Sequence, residues 1–139
     1  MKTITKYLIR FAIVASVLTI IFRFGLSYGI ENKSTTVILV SAVIYSLAMF
    51  VSGWHFGKED ADYLPILDVG FRFHLTTFLV HNVISYLWFT FGFASKYENV
   101  YAVYSVLLIW TPILFFHFIF FIFQRKKAIK NLNKEDLFD

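Results

Sequence analysis

Residues Gly53 to Ser85 read GWHFGKEDADYLPILDVGFRFHLTTFLVHNVIS, and the second half of this stretch decides the fold. From Val69 onward the polar residues His74, Thr77, His81 and Ser85 recur at intervals of 3, 4 and 4. A helix advances about 100° per residue, so these four share one face, while Phe, Leu, Val and Ile cover the rest. A helix that is apolar on every side but one belongs in a bilayer with its polar stripe turned inward, because an unpaired polar group in hydrocarbon is costly. The same stretch holds three of the four histidines, four of the nine acidic residues, one of the two prolines and Asn82.

Outward from this helix, the sequence predicts an all-α integral membrane protein, a four-transmembrane-helix antiparallel bundle forming a single domain. The predicted spans cover about 7–29, 35–57, 69–92 and 100–123, with residues 124–139 as a basic cytoplasmic tail. The first span opens behind Lys2, Lys6 and Arg10. It is read as an uncleaved span because Arg23 follows the apolar run directly and no small-residue cleavage site is present. The second span carries small residues, among them Gly53-x-x-x-Gly57, that let helices approach closely. The acidic connector Lys58 to Asp68 places Asp68 as a helix N-cap, with Tyr63, Leu64, Ile66 and Leu67 in the headgroup layer. The fourth span contains Thr111-Pro112, expected to kink it, and Gln124-Arg125-Lys126-Lys127 is expected to stop it.

Composition agrees with lipid as the solvent. The chain of 139 residues is 58% hydrophobic and 16% charged, where soluble domains average roughly 45–50% and about 25%. With no cysteine there is no disulfide and no thiolate nucleophile. The net charge of +4 reflects topology signals rather than a nucleic-acid surface. The first span's flank carries three cations and the tail carries Arg125, Lys126, Lys127, Lys130 and Lys134, against Lys33 and Lys96 in the two other connections. The positive-inside bias therefore puts both termini in the cytoplasm, as four spans require. The expected address is the cell membrane as a multi-pass protein, by its size a bacterial inner membrane. Arg10-Phe11 and His55-Phe56 recur as Arg72-Phe73 and His117-Phe118 at one common offset, a weak sign of duplicated hairpins.

The chemistry-bearing residues support three functions. The leading expectation is a non-enzymatic membrane component that packs with itself or a membrane-protein partner. It rests on the small-residue stripes and on the lack of any nucleophile beside a base. The second is a carrier of a small polar or lipid-linked substrate, with His74, Thr77, His81, Asn82 and Ser85 along the path. The third is a histidine-liganded redox protein, with His55, His74, His81 and His117 as ligands to a metal or haem; otherwise no cofactor is expected. Arg23, Asp68 and Arg72 are read as interface anchors, Arg23 by snorkelling to the headgroups. Small four-span multidrug exporters are similar in length and layout, but they depend on an intramembrane carboxylate, and no Asp or Glu lies inside any predicted span.

Overall fold

The computed structural model describes residues 4–62 and 66–130, with side chains described for 4–62 and 68–123. Four helices follow one another: α1 Lys6–Glu31, α2 Thr35–Ala61, α3 Ile66–Thr90 and α4 Tyr101–Lys130. Their ends are set by local chemistry. The Thr5 hydroxyl caps α1 by accepting from the Leu8 N–H at 3.1 Å, and the Ser34 hydroxyl caps α2 by accepting from Val37 at 3.4 Å. Between them Lys33 takes a left-handed conformation (φ 52°), which turns the chain tightly enough for the Ser34 N–H to reach the Gly29 carbonyl at 2.8 Å. α3 ends the same way at Gly92 (φ +75°), with the Phe93 N–H donating back to the Trp88 carbonyl at 3.0 Å. The Asn99 side-chain carbonyl accepts from the Tyr101 N–H at 3.0 Å and starts α4.

Three helices, α1, α2 and α4 from Tyr101 to Phe123, are long and apolar enough to cross a membrane, which points to a membrane location. α3 falls short of that hydropathy because its face carries His74, Thr77, His81, Asn82 and Ser85. Large apolar side chains cover the outer faces. Leu47, Phe50 and Trp54 on α2 and Leu108, Ile109 and Phe116 on α4 are exposed, a liability in water and ordinary against lipid. The buried centre is small: Phe11 and Ala15 of α1 meet Val69 and Phe73 of α3, with Met49 and Phe56 of α2 packed against them. The Phe11 and Phe73 rings lie 4.7 Å apart. α1 packs closely along α2 and α3, and α2 touches α3. Among the described residues the α4 backbone approaches α3 alone, leaving a gap between α4 and the α1–α2 pair.

Several element boundaries differ from the sequence expectation. α2 runs on through Lys58, Glu59 and Asp60 to Ala61, which absorbs the first part of the expected connector. Asp60 is held inside, 1% exposed, where it accepts a hydrogen bond from the Thr5 hydroxyl at 2.9 Å. α3 begins at Ile66, so Asp68 sits in its first turn rather than at its N-cap. Residues 63–65, and the side chains of Ile66 and Leu67, lie outside the described residues. α4 continues past Gln124 to Lys130, because Arg and Lys are good helix formers that extend a helix rather than stop it. It also runs through Pro112; the Thr111 hydroxyl turns back to the Leu107 carbonyl at 2.7 Å. The rest of the expected tail, 131–139, lies outside the described residues.

Candidate functional site

The gap beside α4 is a cleft of about 570 Å³ floored by α3. Phe22, Arg23 and Leu26 of α1 and Ala42 and Tyr45 of α2 form one wall, and Val103, Val106 and Trp110 of α4 form the other. His81, Asn82 and Ser85 make the floor, and Tyr97 and Glu98 close the end nearest the α3–α4 connection. The lining is mainly apolar with a few convergent polar groups, the usual composition of a small-molecule site.

Its polar end is built around Arg23, which lines the cleft and is 5% exposed. Its Nη2 donates to Glu98 Oε2 at 2.5 Å, and the Ser95 N–H donates to Glu98 Oε1 at 3.1 Å. The guanidinium also lies over the Phe89 and Trp88 rings, at 5.3 and 5.9 Å. Trp88 is fixed in turn by donating from Nε1 to the Ser27 hydroxyl at 3.0 Å. A buried cation needs such a partner, since a lone charge out of water costs many kcal/mol. Beside this pair three buried atoms lack a hydrogen-bond partner: Arg23 Nε, Asn82 Oδ1 and Ser85 Oγ. Asn82 Nδ2 is satisfied by the Phe78 carbonyl at 2.8 Å, which leaves its oxygen as the open half of the amide. Buried polar groups are seldom left unpaired, and all three residues are among those that line the cleft.

The middle of the cleft holds a chain of hydroxyl and imidazole groups. Thr19 donates to the Ala15 carbonyl at 2.7 Å, Tyr45 Oη lies 3.2 Å from Thr19 Oγ1, and His81 Nδ1 lies 3.1 Å from Tyr45 Oη. With the Thr19 proton used on Ala15, all three contacts are satisfied only if Tyr45 donates to Thr19 and His81 Nδ1–H donates to Tyr45. A neutral His81 in this arrangement has Nε2 as its open acceptor. Phe22 stacks on Tyr45 at 4.6 Å and supports the group from α1.

The remaining predicted residues separate. His74 lies beyond the cleft with His117, their Nδ1 atoms 2.6 Å apart, and Trp110 Nε1 donates to His74 Nε2 at 2.5 Å. Thr77 donates to the Phe73 carbonyl at 2.9 Å within its own helix. His55 is exposed on α2, its ring against Phe56. His55, His74, His81 and His117 thus do not converge, and among the described residues no three histidines or acids gather as metal ligands. Asp68 and Arg72 pair at 3.4 Å, one turn apart near the start of α3. Sequence reasoning did not find Glu98, Tyr45 or Trp110. A charged Arg23 in an apolar run is a signal that a counter-ion exists, but Glu31 and Glu98 are equal candidates until the chain is folded. In the fold Glu31 lies outside the cleft, accepting from the Ser95 hydroxyl and pairing with Lys96 at 3.4 Å.

Comparison with protein-family models, with curated proteins and with solved structures returns no match. The fold and the cleft define the chain only as an all-α protein of four helices, three of them apolar enough for a bilayer.

Proposed function

We propose that this is a four-span membrane protein whose helices alternate in direction, with both termini cytoplasmic, and that its cleft binds and carries a lipid-linked polar substrate. One observation carries the reading: Arg23 Nε, Asn82 Oδ1 and Ser85 Oγ are buried and unpaired around one cavity of about 570 Å³. Together they offer a donor, an acceptor and a hydroxyl. The Arg23 charge is already matched by Glu98, so the site favours an uncharged or zwitterionic head over a naked phosphate. A sugar or other polyol supplies the donors and acceptors in one group. The apolar gap between α2 and α4 gives its tail a route to the surrounding lipid.

The glycines that favoured the packing-component reading also make contacts within this chain. A Cβ on Gly29 would lie 2.8 Å from Ile38 Cγ1, one on Gly53 would meet Phe11, and one on Gly57 would meet Val69. These three glycines pack this chain on itself.

The test is native mass spectrometry of the protein released from nanodiscs, offered a neutral glycolipid, phosphatidylethanolamine and phosphatidylglycerol at equal concentration. Retention of the glycolipid above the other two is expected, with loss of that preference in Asn82→Leu, which removes the open acceptor at similar volume. Equal retention of all three, or an unchanged preference in the variant, would overturn the reading.

A further inference from the structure

Below the cleft, His74, His117 and Trp110 form a cluster whose proton count is fixed by its geometry. An indole N–H only donates, so His74 Nε2, 2.5 Å from Trp110 Nε1, must carry its lone pair. A neutral His74 then has its proton on Nδ1 and gives it to His117 Nδ1 at 2.6 Å. His117 is thereby an acceptor at Nδ1 and holds its own proton on Nε2. One proton fills the contact between the two Nδ1 atoms and another already occupies His117 Nε2. With the His74–His117 contact kept, His74 Nε2 is the one nitrogen of the pair able to take a further proton, and it is the atom that anchors Trp110.

We infer that His74 and His117 form a proton-binding site, and that a proton bound at His74 Nε2 releases Trp110 from the wall of the cleft. No bond other than N–H forms or breaks: the proton comes from the water beyond the end of α4 nearest His117, and the hydrogen bond from the indole is lost. Trp110 packs its ring between His74 and His81, with centroids 5.8 and 5.7 Å away, so its release changes the inner end of the cleft next to His81. Several charged and titratable groups on the neighbouring elements already have partners, and His81 on α3 faces Trp110 from the other side. On α3, Asp68 and Arg72 pair with each other. On α2, Tyr45 and Asp60 are bound to His81 and Thr5, on α1 Arg23 is bound to Glu98, and α4 contributes His117 itself. The proton site stands on its own geometry; its effect on carriage rests on the binding reading above.

The chain has three tryptophans, so the indole N–H resonances of ¹⁵N-labelled protein in nanodiscs are few, and the signal missing from Trp110→Phe identifies that residue. On lowering the pH from about 8 to about 4, through the imidazole range, the Trp110 indole proton is expected to shift upfield as its acceptor is lost. In His74→Gln, whose side-chain carbonyl accepts from the indole but does not titrate, the signal is expected to stay fixed. A Trp110 signal that does not move in the wild type, or that moves equally in His74→Gln, would overturn the inference. If His74→Gln does not fold, the ¹⁵N shift of His74 Nε2 in the wild type decides: it must change in step with the indole, and a separate midpoint overturns the proton link. None of these readouts needs a bound glycolipid, so failure of glycolipid binding alone would remove the carrier reading and leave the proton site standing.

Discussion

Arg23 shows how far one residue can be read. An arginine inside an apolar run is legible as costly, and the long side chain offers two remedies, reaching out to headgroups or finding a counter-ion within. Which remedy is used depends on where the α3–α4 connection lies, and that is a tertiary fact. The pair with Glu98 is buried on both sides, with side-chain exposures of 6% and 4%. Glu98→Gln is therefore expected to cost about 3–5 kcal/mol, because it strands the guanidinium without a charge. Arg23→Met combined with Glu98→Leu should recover most of that loss, since two apolar side chains need no partner. Unfolding midpoints of the single and double variants in a denaturing detergent titration measure the difference; a double variant as weak as the single would show that the pair is not the source. The partner of His117 was hidden for a related reason. The helix face of His117 itself offers Trp110, Ile113, Leu114 and Phe121, and its partner His74 comes from another helix.

At the scale of an element, the periodicity on α3 was the strongest signal and explains the floor of the cleft. His81, Asn82 and Ser85 line it together, as a shared inward face requires. The ends of the helices were less legible, because a boundary turns on single caps and on whether a charged residue finds a buried partner. Asp60 looked like loop and is interior to a helix end, held by Thr5. Glycines carry the clearest tests of the elements. At Gly29 a Cβ would meet Ile38 Cγ1 at 2.8 Å and the Ile38 backbone nitrogen at 3.2 Å, and backbone cannot give way cheaply. Gly29→Ala is expected to destabilise by about 1–3 kcal/mol through overpacking of α1 on α2. Gly70 has open space where its Cβ would go, so Gly70→Ala should gain up to about 1 kcal/mol from helix propensity alone. The same detergent titration should move in opposite directions for the two variants, and a parallel loss would mean that Gly70 is closely packed after all.

On the whole molecule, the recurrence of Arg10-Phe11 as Arg72-Phe73 puts two buried phenylalanines in contact between α1 and α3. The helices that follow them do not match. α2 lies close on α1 and also reaches α3, while among the described residues the α4 backbone approaches α3 alone, and the cleft is the space that this difference leaves open. The number of helices was legible from the sequence, but this asymmetry was not, since it depends on which faces pack. The sidedness we propose follows from cation placement and makes a direct test possible in a chain without native cysteine. Lys33 and Lys96 are exposed in the two connections that join α1 to α2 and α3 to α4, and Glu59 is exposed near the other end of α2. Lys33→Cys and Lys96→Cys should react with an impermeant maleimide added to intact cells, and Glu59→Cys should react only after the membrane is opened. The Thr5–Asp60 and Arg23–Glu98 contacts join the start of α1 to the end of α2 and its far end to the α3–α4 connection, as that sidedness needs. Labelling of Lys33→Cys and Glu59→Cys from the same side would mean that α2 does not cross the bilayer. The cleft would then lie in the headgroup layer, where water could satisfy Arg23 Nε, Asn82 Oδ1 and Ser85 Oγ, and the reason for assigning those atoms to a lipid-linked head would be gone.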